Sequence, residues 1–266
     1  MFEYSFMRNA FMAGTVIAII GGIISYFVIV RRTAFAAHAL GHISLTGAAG
    51  AVLLGLSPMA GLLTANIISA IIMGFIGDKI KKNDLAIGIV LTFFLGLGAY
   101  FLYLYQTGYS GGVMAILFGD ILSVSVSQIY LLFLLASIVV ITLLIITRPL
   151  LFSSIDPTLA AAKRLPIRFL SILFFILLAI TVSMACQIVG ALLIFALLIG
   201  PGAVASYLCD GFYTSIVTSI VVSLVTVWLS LTVSFYLNLP TSFCITMIIC
   251  IFYILSAKFN KVRYHK

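Results

Sequence analysis

The sequence predicts an all-α polytopic membrane protein with about eight to nine transmembrane helices and a short helix on the cytoplasmic side. Of its 266 residues, 64% are apolar and 8% are charged, whereas an ordinary soluble domain carries roughly 25% charged residues. This leaves too few polar residues to cover a soluble fold. The apolar residues fall in runs of about 20, the length that spans a bilayer as a helix. The formal net charge of +8 is dispersed between these runs, without the basic stripe typical of nucleic-acid binding.

Nine apolar runs are candidate spans, and we treat residues 1–266 as a single transmembrane domain. The runs are Ala10–Val30, Ala36–Leu56, Pro58–Ile76, Leu85–Tyr105, Ile129–Thr147, Arg168–Cys186, Gln187–Leu208, Phe212–Phe235 and Thr241–Ala257. The second is interrupted by small and polar residues, and the seventh follows its neighbour with almost no loop. The first is too long for the apolar part of a secretory signal, so we expect it to be retained.

The positions of the lysines and arginines predict the orientation. If the loop after the first span is cytoplasmic, every basic residue except Arg8 lies on the cytoplasmic side. The cytoplasmic set is Arg31, Arg32, Lys79, Lys81, Lys82, Arg148, Lys163, Arg164, Arg168, Lys258, Lys261, Arg263 and Lys266. Cytoplasmic loops of membrane proteins are enriched in these residues, so nine spans with an outer N-terminus and a cytoplasmic C-terminus are expected.

His38 and His42 are the histidines of the apolar runs, and the chain's third histidine, His265, lies in the basic tail. A spacing of four residues puts both imidazoles on one helix face. They follow Arg32 by six and ten residues, which corresponds to roughly 9–15 Å into a core of about 30 Å. Transporters commonly bind substrate near this depth, and imidazole is a frequent zinc ligand. The alternative is that both histidines only pack helices together.

The longest cytoplasmic connection, residues 148–168, contains a second candidate. Asp156 can cap a helix whose first residue is Pro157 and which continues through Thr158–Arg164. Such a helix between two spans suits the docking of a partner, although a plain surface loop would fit the same residues. The chain carries no glycine-rich phosphate-binding motif, so we do not expect it to bind a nucleotide.

Three further features each allow two interpretations. Asp120 either attracts an entering cation or a docking protein on the outer side, or it caps a helix that starts at Ile121. Pro201, between two glycines, is expected to break the seventh span, although proline is also tolerated in membrane helices. The cysteines lie in or beside apolar runs without CxxC spacing, which favours packing over metal binding or disulfides; they are Cys186, Cys209, Cys244 and Cys250.

From about Val30 to Leu255 the chain resembles the membrane permease of zinc- and manganese-type ATP-binding-cassette importers. The resemblance rests on RRTAF at 31–35 with HALGH at 38–42 and Gly47, DLAIGIVLT at 84–92, LFGDIL at 117–122, and VGALLIFALLIGPGAVA at 189–205. It implies a homodimer with two cytoplasmic ATP-binding subunits and an extracytoplasmic metal-binding protein, in a bacterial cytoplasmic membrane. ATP hydrolysis would then belong to the separate subunits, and this chain would have no catalytic residue and no permanently bound cofactor.

The resemblance also assigns residues. Asp156, Pro157, Thr158, Leu159 and Ala160 are similar to the family's "DPelA" segment, which couples the permease to the ATPase. In the family an Asp and a His of the "DALsH" motif line the metal path; here His42 takes the His position and His38 takes that of the Asp.

That exchange bears on the transported ion. Imidazole in place of a carboxylate favours Zn²⁺ over Mn²⁺, because manganese prefers oxygen ligands. Two copies meeting at an axis would supply four imidazoles, the number that suits tetrahedral zinc.

Other functions stay open from the sequence alone. Within the same family, manganese or iron is an alternative cargo, and a siderophore- or cobalamin-like chelate permease is another, although such a chain is expected to be longer. An intramembrane metalloenzyme would need a general base beside the HxxxH ligands, where this chain has Ala39, Leu40 and Gly41. A secondary transporter would be expected to carry an internal repeat or intramembrane acids, and we detect no repeat and few such acids.

Overall fold

The computed structural model describes residues 1, 3–76, 83–104, 119, 121–191 and 194–264. Over these ranges the chain forms ten α-helices and one 3-10 turn at Ile121–Ser123, with no β-strand. The helices are α1 (Ser5–Val30), α2 (Ala34–Leu53), α3 (Pro58–Ile76), α4 (Asn83–Leu104), α5 (Val126–Ile155), α6 (Pro157–Ala162), α7 (Ile167–Val189), α8 (Ile194–Leu208), α9 (Phe212–Leu237) and α10 (Thr241–Tyr264).

Eight of the helices in the described ranges are long and apolar enough to cross a membrane, which confirms the predicted all-α polytopic class. The expected span Gln187–Leu208 differs from what is observed. Helix α7 continues to Val189, and α8, with 15 residues, begins only at Ile194. At 1.5 Å per residue α8 is about 22 Å long, shorter than the hydrocarbon core. The chain leaves the helical path at Gly190, whose φ of 95° is readily adopted only by glycine.

The predicted break at Pro201 is wrong, because α8 continues through this residue. Proline cannot donate a backbone hydrogen bond and distorts the turn that precedes it. Here the next residue compensates, since the Gly202 N–H donates to Ser25 Oγ on α1 at 2.7 Å. A hydroxyl from a neighbouring helix is one of the usual ways in which membrane proteins accommodate proline.

Hydrogen bonds at the helix termini define two ends of the bundle. At one end, Arg31 after α1 donates to Ser154 near the end of α5 (3.0 Å) and to Ser171 near the start of α7 (2.9 Å). At the other end, Asn9 near the start of α1 donates to the carbonyl of Val124, just before α5 (3.1 Å). Both α1 and α5 therefore run from the Asn9 end to the Arg31 end, whereas α7 starts at the Arg31 end.

Small residues allow the helices to approach closely, as is typical of membrane bundles. Helix α1 packs against α5, α7, α8 and α9, and α2 packs against α3, α4 and α7. Where α2 meets α3, a Cβ on Gly47 would overlap the carbonyl oxygen of Gly61, and a Cβ on Gly61 would overlap that of Gly47. Where α1 meets α9, a Cβ on Gly22 would lie 2.7 Å from Cα of Ile220.

The end of α2 gives a first stability prediction. Gly55 adopts a φ of 70°, and a Cβ there would meet no atom within 4 Å, so alanine would add backbone strain without a clash. We expect Gly55→Ala to lower the free energy of unfolding by about 1 kcal/mol, because left-handed backbone is unfavourable for residues with a Cβ. Thermal unfolding in detergent measures this change.

Gly96→Ala in α4 is the matched control, since Gly96 also has open space around its Cβ position but no positive φ. Alanine there should leave the stability unchanged or raise it slightly. Equal destabilisation by the two substitutions would contradict the explanation based on φ.

Candidate functional site

The two predicted site histidines lie side by side on α2. Their ring centroids are 4.6 Å apart, with the ring planes at 85°. The His38 ring also contacts the Phe195 ring of α8 in a T-shaped arrangement, at a centroid distance of 5.0 Å. Both imidazoles are half-buried. The expectation that a four-residue spacing would place them on one helix face is therefore confirmed.

The histidine face of α2 adjoins the interruption between α7 and α8. A Cβ on Gly41 would lie 3.2 Å from both the carbonyl oxygen of Ala191 and Cγ2 of Ile194, so a larger residue would have to move the two segments slightly apart. The pair of imidazoles thus lies beside non-helical backbone within the bundle. In membrane proteins such backbone is tolerated where protein buries it or where it lines a cavity.

The described residues supply two neighbouring imidazoles and no further metal-binding side chain beside them. In the part of the chain that the structure describes, no three His, Cys, Asp or Glu side chains come together as a metal would require. Zinc sites in proteins generally use three or four such ligands. Two more ligands would have to come from outside the described residues, for example from a second copy.

Behind the histidines, α2 is fixed by a polar cluster that the sequence did not predict. The side chain of Asn66 on α3 is fully buried and its Nδ2 donates to Ser44 Oγ of α2 (2.7 Å) and to Ser183 Oγ of α7 (2.9 Å). Oδ1 of Asn66 has no hydrogen-bond partner among the described residues. The sequence could have predicted this contact from a single Asn in an apolar run, because polar side chains within spans usually form hydrogen bonds between helices.

The predicted short helix between two spans is confirmed as α6, which ends at Ala162, two residues before the predicted end at Arg164. Asp156 caps it by accepting a hydrogen bond from the Leu159 N–H at 2.9 Å, and Pro157 is its first residue. Ala160 is completely buried, whereas Leu159 is 48% exposed. Helix α6 is therefore anchored on one side and presents an apolar side chain on the other.

The hydrogen bonds of the α6 cap favour the ionised form of Asp156. The hydroxyl of Thr158, which donates to Asp156 Oδ1 at 2.6 Å, and then the Leu159 N–H lower the pKa of Asp156 below its ordinary value. A folded-state pKa below that of the unfolded chain contributes stability above the unfolded pKa. That contribution is lost as the pH falls through the folded value, so α6 remains capped at neutral pH.

Arg31 is a half-buried polar residue whose contacts the sequence did not predict. Besides the bonds to Ser154 and Ser171, its guanidinium lies 5.0 Å from the ring centroid of Phe174, a cation–π distance. Its buried Nε has no hydrogen-bond partner in the described ranges. Burial lowers the pKa of Arg31 to about 10, which leaves it charged at neutral pH.

Asp120 lies outside the described residues, so its role in cation entry, docking or helix capping stays a prediction. Its neighbour Gly119 has a φ of 71°, and a Cβ there would overlap the backbone nitrogen of Gly190. Gly119 is therefore packed directly on the end of α7, close to the interruption before α8.

The four cysteines are free thiols, so no disulfide joins any of them in the described ranges. Cys186 and Cys244 are buried in the bundle, as expected of cysteines that pack helices together.

These elements define a polytopic α-helical membrane protein with a histidine pair at an interrupted helix and a capped helix between two spans. The model of the ABC 3 transport family matches residues 3–260. The chain belongs to this family.

Relatives and a solved structure agree with this assignment. The chain is 30% identical over 260 residues to the manganese transport system membrane protein MntC of Listeria monocytogenes, covering 97% of this chain and 92% of that protein. It is 28% identical to the chelated iron transport system membrane protein YfeD of Yersinia pestis, and the match covers 98% of this chain and 88% of that protein. The structure of PsaBC from Streptococcus pneumoniae in complex with Fab matches with a TM-score of 0.83 at 29% identity, covering 95% of this chain and 91% of that one.

Proposed function

We propose that this chain is the permease subunit of an ATP-binding-cassette importer for divalent metal ions, with Zn²⁺ as the preferred ion. The observation that carries the proposal is the contact between His38 and His42 beside the interruption before α8. The names of the relatives, which refer to manganese and iron transport, support a metal as the cargo. Imidazole at position 38 favours zinc over manganese, which prefers oxygen ligands.

The half-burial of both histidines supports a second copy as the source of the remaining ligands. An imidazole facing lipid is unfavourable, so polar groups in spans usually face a bundle interior or a water-filled cavity. Two copies related by a two-fold axis would bring four imidazoles together, enough for a tetrahedral ion. Because the ion has to leave again, such a site would bind it transiently.

Helix α6 is the proposed docking element for the cytoplasmic ATP-binding subunits. Asp156 and Pro157 fix its start, Ala160 anchors it against the bundle, and the exposed Leu159 is available to a partner. Hydrolysis of ATP would take place in those separate subunits. An extracytoplasmic metal-binding protein would deliver the ion at the Asn9 end.

The same proposal fixes the location and orientation. Among the described residues, the Arg31 end carries Arg31, Arg32, Lys163, Arg164 and Arg168. Such residues are typical of cytoplasmic loops, so this end would face the cytoplasm of a bacterium. The C-terminus would lie on that side, and residues 1–266 would act as one transmembrane domain.

Manganese or iron is the second candidate cargo, and the names of the relatives favour it. Uptake of Zn²⁺, Mn²⁺ and Fe²⁺ into vesicles that contain the complete transporter decides between these ions. ATP-dependent uptake with zinc preferred is the expected result. Absence of uptake of all three ions would contradict the proposed function, and a preference for manganese would contradict the proposed ion.

His38→Asp tests the basis of the preference. A carboxylate in place of the imidazole should shift the ratio of zinc to manganese uptake toward manganese by roughly tenfold, since manganese prefers oxygen ligands. His38→Asn is the matched control, because it offers an oxygen without the charge. An unchanged ratio in His38→Asp would show that position 38 does not select the ion.

A further inference from the structure

Arg31 is a half-buried cation held by neutral groups. Its two hydrogen-bond partners are serine hydroxyls and its third neighbour is the ring of Phe174. Among the described residues no carboxylate pairs with it. A buried charge normally takes an ionic partner, so this arrangement calls for an explanation other than charge neutralisation.

The two serines flank the proposed docking element. Ser154 lies two residues before Asp156, the cap of α6, and Ser171 lies four residues after the start of α7 at Ile167. The Ser154 hydroxyl donates to the carbonyl of Leu150 at 2.6 Å, which leaves its oxygen free to accept from Arg31. Arg31 therefore joins the chain segments that enter and leave α6.

Arg31 is also connected stiffly to α2. The turn between α1 and α2 is closed by bonds from the Arg32 N–H to Ile29 O (3.1 Å) and from the Thr33 N–H to Val28 O (3.0 Å), with Arg32 at a φ of 55°. This pair of bonds is the Schellman arrangement that ends many helices. Helix α2 then begins at Ala34, and His38 is its fifth residue.

We propose that Arg31 is the positioning residue that links the docking helix α6 to α2, the helix that carries His38 and His42. When a partner displaces α6, the two serines move with it, and the guanidinium transmits this movement through the α1–α2 turn. The inference rests on the proposed function for its transport readout, but the mechanical link is testable in the permease alone.

The first test measures this link without partners. Amide hydrogen exchange is followed in the purified permease for wild type, Arg31→Gln and the double variant Ser154→Ala/Ser171→Ala. We expect faster exchange in both residues 152–171 and residues 33–42, since both segments lose their shared contact. Faster exchange confined to residues 152–171 would overturn the proposed link.

Arg32→Asn is the matched control. It removes one positive charge from the same turn, Arg32 is exposed, and Asn tolerates left-handed backbone. Its exchange pattern should match that of the wild type. A pattern like that of Arg31→Gln would mean that the charge of the turn, and not the contact with the serines, controls the exchange rates. That result would overturn the proposed link.

The second test measures coupling in vesicles that contain the permease, its ATP-binding subunits and its binding protein. We expect Zn²⁺ taken up per ATP hydrolysed to fall about tenfold in Arg31→Gln and in the double serine variant, with ATPase activity retained. An unchanged ratio in both variants, with wild-type uptake intact, would overturn the inference. If Arg31→Gln does not fold, the ratio measured for the double serine variant, which keeps every charge, tests the inference alone. Wild-type vesicles without metal uptake would instead contradict the proposed function.

Discussion

Replacing His38 and His42 together with alanine is expected to reduce zinc uptake by more than about tenfold, because it removes every proposed ligand of the ion. In a two-fold assembly the double substitution removes four imidazoles at once. No cluster of three metal-binding side chains exists in the described part of the chain to replace them. Each single substitution leaves two imidazoles per dimer and should cause a smaller loss.

The measurement compares initial rates of uptake with the amount of folded permease and with ATPase activity. Leu45→Ala is the control for lost volume, since Leu45 follows His38 by seven residues on the same face of α2 and is also half-buried. We expect it to keep most of the uptake. If the double histidine variant transported zinc at the wild-type rate, the assignment of the metal path to these residues would be wrong.

Most of the spans could be predicted from the sequence because bilayer insertion imposes a length and a composition on each of them. The pairing of His38 with His42 and the cap of α6 were also predictable, since both follow from helix geometry over a few residues. Both features depend on residues a few positions apart, and helix geometry fixes where such residues lie relative to one another.

The interruption before α8 was harder to predict. Residues 187–208 are almost uniformly apolar, so hydropathy alone does not distinguish one span from a helix end followed by a shorter helix. Pro201 predicted an interruption at the wrong position, because the helical path is interrupted at Gly190 instead. The effect of Pro201 on the helix is offset by Ser25 of α1, a partner so distant in the sequence that no local pattern reveals it.

Arg31 and Asn66 illustrate the same limit for polar groups. Arg31 was interpreted only as one of the basic residues expected on the cytoplasmic side. Its contacts with Ser154 and Ser171 were therefore not predicted. Asn66 was detectable as a lone amide in an apolar run, but its partners come from two other helices. Tertiary packing, not periodicity, determines such contacts.

Gly47→Ala is expected to cause a large loss of stability, about 3 kcal/mol, because it forces apart two helices that touch through their backbones. The new methyl group would overlap the carbonyl oxygen of Gly61 and lie 2.6 Å from Cβ of Ala65. Backbone atoms cannot rotate away as a side chain can, so α2 would have to shift relative to α3. Thermal unfolding in detergent measures the change in the free energy of unfolding.

Gly61→Ala should be equally damaging, since its Cβ would overlap the carbonyl oxygen of Gly47 and lie 2.5 Å from Cβ of Ala51. Gly88→Ala in α4 is the control, because its nearest neighbour would be Cε1 of Phe35 at 3.9 Å, an ordinary contact.

A shift of α2 would also displace His38 and His42 relative to Phe195 and the start of α8. We therefore expect the folded fraction of Gly47→Ala to transport zinc more slowly than that of Gly88→Ala. Equal stability of these two variants would contradict the close packing of α2 on α3.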